Sequence, residues 1–200
     1  MESQLTILLP VAAVWLAAGV VADGLPRLQN TSVLRRRTGW LLVLTLTGVG
    51  LTAAVLGGGL LSAGTAPVDQ AAAGLTVAFG PALVAAISSV RRIRRLWAGA
   101  GAFASAPATP APHGLRAAAA HPLIGLPLQV TALATVPAVI AAAGADLGAD
   151  PGVTGPAITI GALAVAVIGV RHALRHSRLA ERAQPAAAPS ARAAGGALHV

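Results

Sequence analysis

Five apolar stretches, at about 5–22, 39–61, 71–90, 122–144 and 152–170, divide this chain and decide what it can fold into. At a rise of about 1.5 Å per residue, a helix of this length crosses a hydrocarbon core of about 30 Å. A water-soluble domain of 200 residues could not bury them all, because 56% of the chain is hydrophobic, 10% is charged and the mean hydropathy is +0.76. Tyrosine is absent and aromatics make up 2% of the residues, which fits poorly with barrel strands and their aromatic girdles. Helices remain as the way to satisfy backbone polar groups in lipid. The expected fold is all-α: a multi-pass transmembrane helical bundle of about five spanning helices, forming one membrane domain over 1–183.

The joints between the stretches set the orientation. Arg27, Arg35, Arg36 and Arg37 follow the first stretch, Arg91, Arg92, Arg94 and Arg95 follow the third, and Arg171, Arg175, Arg178 and Arg182 follow the fifth. The other two joints carry Asp69, and Asp146 with Asp150, and no arginine. Basic residues stay on the cytoplasmic side, so this alternation predicts the N-terminus outside and the C-terminus in the cytoplasm. The first stretch is preceded by acidic Glu2 and no basic residue, so it is expected to remain as a helix and not to act as a signal peptide. Trp40 and Trp97 stand where indole rings anchor a span at the interface. Residues 98–121, with Pro107, Pro110 and Pro112, read as a cytoplasmic linker, and 184–200 as a disordered tail.

The net charge of +8 does not point to nucleic acid, because the arginines lie beside spans and lack interleaved aromatics. All 14 basic residues are arginine, and the chain is rich in Ala, Gly and Pro, as in a bacterium of high GC content. Cysteine is absent, which removes disulfides, thiolate metal sites and cysteine nucleophiles. The sequence has no phosphate-binding glycine loop, no H-E-x-x-H, no G-x-S-x-G and no paired carboxylates at catalytic spacing. Charged residues inside a membrane are expensive and usually functional, and none lies mid-span.

A few polar residues remain as candidates. Gln129, two residues after Pro127, brings a buried amide into the fourth span as interhelical glue or as the lining of a path. His172 and His176 share a helix face at i, i+4, and His121 opens the fourth span at similar depth, so a metal or bis-imidazole haem site can be drawn from the three. The simpler reading is a wetted, basic helix end. Arg35, Arg36, Arg37, Arg91, Arg92, Arg94 and Arg95 suit anionic lipid headgroups or act as topology signals. Small residues recur at four-residue spacing, as in Ala78, Ala82 and Ala86 and in Ala134, Ala138 and Ala142, and predict close helix packing. Residues 39–95 and 122–175 share a helix, acidic turn, helix, arginine pattern that can be a duplication or a product of low complexity.

The expected role is a small integral membrane protein of a bacterial plasma membrane, a non-enzymatic accessory or assembly subunit with no cofactor. Its expected partners are the bilayer, anionic headgroups and a membrane protein or further copies of itself. The alternatives are a small permease for a neutral solute and a His-ligated metal or haem enzyme.

Overall fold

The computed structural model describes residues 2–62, 64, 66–103, 110–145 and 151–183, and of 151–158 only the helical backbone. These residues form helices α1 (Glu2–Gly24), α2 (Thr31–Leu61), α3 (Pro67–Val84), α4 (Val90–Ala102), α5 (His113–Ala119), α6 (Pro122–Ala142) and α7 (Pro151–Ala183). A 3-10 turn, Leu25–Arg27, follows α1, and a π-helical segment, Ala85–Ser89, joins α3 to α4 without a break. No strand occurs among the described residues. Four helical stretches among them, Glu2–Arg27, Thr31–Leu61, Pro67–Ala102 and His113–Ala142, are long and apolar enough to cross a membrane. The 33 residues of α7 add a helix about 50 Å long. The helical bundle expected from the apolar stretches is the fold observed.

Local chemistry sets the helix ends. Asn30 caps α2, its Oδ1 accepting from Ser32 N at 2.9 Å, so α2 starts at Thr31 and carries Arg35, Arg36 and Arg37 in its first turns. Asp69 accepts from the Ala66 N–H at 2.8 Å and from the Ser62 hydroxyl, which ties the short turn between α2 and α3. Gly144, at φ +91°, closes α6 as the chain turns back: its N–H donates to Ala141 O and that of Ala145 to Ile140 O.

The linker expected over 98–121 is partly helical. The α4 helix runs on to Ala102, and α5 lies against α7, burying Ala117, Ala120 and Leu179 together. His113–Ala119 contains no proline and enough alanine to form a turn or two once α7 gives it an apolar surface. The tail 184–200 lies outside the described residues.

Packing follows two narrow stripes. Along α2 the buried residues Thr31, Leu34, Thr38, Leu41, Thr45, Gly48, Thr52 and Val55 alternate steps of three and four, the spacing of a coiled-coil seam. The α3 stripe, Ala71, Leu75, Ala78 and Ala82, continues through Ala85 and Ser89 to Ile93, Leu96 and Ala100. Two successive steps of four fall at Ala85, Ser89 and Ile93, and the wider π turn absorbs them, so the same side of the helix stays buried. Trp15, fully buried on α1, lies against Gly48, where a Cβ would come within 2.9 Å of the indole. Gly74 meets Ala138 in the same way, so the small residues of α3 and α6 serve internal packing. By contrast, Ala53 and Ala54 are exposed. The α7 helix runs along the edge, against α6 and α5.

Candidate functional site

The polar residues of α1, α6 and α7 converge near the arginine-bearing end of the bundle. Asp23, in the last turn of α1, is bonded by Arg171 at 2.6 Å to each carboxylate oxygen, by Arg175 at 3.0 Å and by Arg27 at 3.3 Å. Arg175 also donates to the Asp23 backbone carbonyl at 3.0 Å. The carboxylate is largely covered, with 19% of the side chain exposed, and it pins the C-terminal half of α7 to α1.

One turn earlier on α1, the α6 helix joins both α1 and α7. Gln129 of α6 donates from Nε2 to the Gly19 carbonyl at 3.3 Å, and its Oε1 lies 3.1 Å from His172 Nε2. With the amide nitrogen committed to a carbonyl, Oε1 can only accept, so His172 Nε2 carries the proton. Nδ1 of the same ring is buried and has no partner among the described residues. The ring fits because residue 125 is glycine: a Cβ there would collide with the imidazole. An open groove of about 450 Å³ runs beside this junction, with Leu16, Val20, Leu133 and Ile168 around Gln129.

The three histidines do not form one site. His172 is taken by Gln129, whereas His121 and His176 face each other with ring centroids 5.0 Å apart. His121 Nδ1 accepts from Leu123 N at 3.1 Å and so caps α6, and His176 Nδ1 lies 3.0 Å from the Ala117 carbonyl. Among the described residues no three His, Cys, Asp or Glu side chains are placed to hold a metal ion. The separation is geometric, since i, i+4 residues share a helix face but α5 and α6 meet that face at different heights.

The arginines of α2 and α4 occupy another side of the same end. Arg35 lies 5.2 Å over the Trp97 ring, and both line an open groove of about 670 Å³ with Arg36 and Trp40. Arg91, Arg94 and Arg95 are exposed on α4 while Ile93 and Leu96 are buried, and Arg36 and Arg37 are exposed on α2.

Several hydroxyl and indole groups of the spans are bonded inside the protein. Thr38, Thr45, Thr52 and Thr131 each donate to a carbonyl one turn earlier, at 2.6–2.8 Å. Trp15 Nε1 donates to Thr52 Oγ1 at 3.0 Å. Pro127 lacks the N–H that would bond the Leu123 carbonyl, and Ser89 of the π segment donates to that carbonyl at 2.7 Å. The sequence marks the orphan carbonyl through Pro127 but not the hydroxyl that satisfies it. It likewise shows Asp23 near arginines without showing which ones return to it.

No protein-family model, curated protein or solved structure matches the chain.

Proposed function

We propose that this is a bacterial plasma-membrane protein, N-terminus outside and C-terminus in the cytoplasm, acting as a non-enzymatic accessory or assembly subunit. The orientation draws support from the arginines. Arg27, Arg35, Arg116, Arg171 and Arg175 make their contacts at the end of the bundle opposite the Ser62–Asp69 turn, where the positive-inside rule puts the cytoplasm.

One observation carries the role: Gln129 and Ser89, polar side chains that reach from one span to another, are spent on holding the helices together. Gln129 is bonded on both sides, to Gly19 and His172, and Ser89 is bonded to Leu123. Groups so engaged serve assembly better than reaction or passage. The α7 helix, with Ile160, Leu163 and Val167 exposed at the edge of the bundle, offers a face that a partner within the membrane can cover.

The groove beside Gln129 favours a second reading, a permease for a neutral solute. Stopped-flow swelling of vesicles containing the purified protein separates the two, with glycerol and urea as solutes. An accessory subunit leaves swelling at the protein-free rate. Faster swelling that Gln129→Leu slows would replace this reading with the permease.

A further inference from the structure

A third groove, of about 630 Å³, lies at the arginine-bearing end between the turn after α1, α5 and α7. Six guanidinium groups line it: Arg27, Arg116, Arg171, Arg175, Arg178 and Arg182. Its other wall is aliphatic, from Val167, Val170 and Leu174 of α7, all exposed, while buried Pro26 and Leu179 form the floor. Polarity therefore changes along α7. Val167 and Val170 belong to the end of the apolar stretch 152–170, Leu174 carries their side of the helix one turn further, and the arginines begin at 171. In a bilayer such a groove runs from the acyl chains into the headgroup layer.

The charge of the groove is not cancelled from within. Asp23 bonds Arg27, Arg171 and Arg175 and is one carboxylate among six cations. Glu181 is not part of the lining, and Arg178 and Arg182 form no ion pair among the described residues. Arg116 donates to the Pro26 carbonyl through Nε at 3.3 Å, which leaves its terminal nitrogens directed elsewhere. From Arg171 to Arg182 the helix rises about 16 Å, farther than the oxygens of one phosphate reach. Guanidinium forks match phosphate oxygens two at a time.

We propose that this groove binds an anionic phospholipid whose headgroup carries two phosphates, held by the arginines of α5 and α7, with acyl chains along Val167, Val170 and Leu174. The aliphatic wall selects a lipid over a free polyphosphate, which would leave that wall uncovered. The site is separate from Arg35 to Arg37 on α2 and Arg91 to Arg95 on α4. It needs only that α7 crosses the membrane, and stands whether the chain is an accessory subunit or a permease.

Native mass spectrometry of the full chain in mild detergent tests it, with tetraoleoyl cardiolipin, dioleoyl phosphatidylglycerol, dioleoyl phosphatidylcholine and pyrophosphate as probes. Cardiolipin should be retained at about one-tenth of the concentration that phosphatidylglycerol needs, and phosphatidylcholine should not be retained. The double variant Arg178→Gln, Arg182→Gln should weaken cardiolipin retention about tenfold or more. Both side chains are exposed, so the variant should unfold at the wild-type temperature. Arg94→Gln, Arg95→Gln, with equal charge loss on α4, should retain cardiolipin as the wild type does. Equal loss in the two double variants would reduce the effect to net charge and overturn the proposal. Equal retention of phosphatidylglycerol would remove the second phosphate, and full displacement by pyrophosphate would make the groove an anion site with no place for a lipid.

Discussion

Ser89 and Pro127 show how a single buried polar group is satisfied where two helices meet. Proline leaves the Leu123 carbonyl without its helical donor, and the serine hydroxyl from a neighbouring helix takes that place at 2.7 Å. The two residues should therefore be coupled. In the natural background Ser89→Ala leaves a buried carbonyl unpaired and should cost about 1–3 kcal/mol. With Pro127→Ala present, the restored backbone N–H can serve Leu123, and the same serine change should cost under about 1 kcal/mol. Equilibrium unfolding in mixed micelles measures all four proteins of this cycle. Equal costs in the two backgrounds would show that the hydroxyl acts through something other than the orphan carbonyl. Trp15 follows the same logic, since its indole N–H reaches Thr52 Oγ1 and its ring needs the missing Cβ of Gly48.

At the scale of elements, the π-helical segment Ala85–Ser89 governs the long span Pro67–Ala102. The π turn already holds the one extra residue that keeps the buried face in line, so inserting a further residue there would turn α4 by about 100° relative to α3. Arg92 or Arg95 would then move toward the position of buried Ile93 or Leu96, and Ser89 would leave Leu123. Insertion of an alanine after exposed Ile87 should therefore cost about 3 kcal/mol or more, while Ile87→Ala should stay within about 0.5 kcal/mol. Thermal unfolding in detergent compares them, and similar melting points would mean that the π turn is incidental. The seam of α2 was open to reading, because Thr31, Thr38, Thr45 and Thr52 recur every seven residues. The start of α2 at Thr31 was obscured by the arginine-bearing run Thr31–Thr38, since an apolar stretch marks where a helix is in lipid and not where it begins. The hidden helix α5 has the same cause: its stability comes from Leu179 of α7, outside its own segment.

For the whole molecule, the arginine clusters converge on one end, joined there by Asp23 to Arg171 and Arg175 and by Arg116 to Pro26. Reporter fusions after Arg95 and Ala183 should report cytoplasm, and fusions after Ser62 and Ala145 the outside. A fusion at Arg95 reporting outside would reverse or break the topology. Hydropathy and arginine placement alone determined that the chain is a helical bundle suited to a bilayer, because the cost of leaving apolar surface in water or guanidinium in lipid depends on the residue itself and scarcely on its neighbours. Which polar groups meet was decided only by the tertiary structure. Asp23 and Arg171 are 148 residues apart and Gln129 and Gly19 are 110 apart, so their pairing rests on the rotation and height of packed helices. The same rotation sent His172 to Gln129 and away from His121 and His176, a choice that helical spacing by itself leaves open.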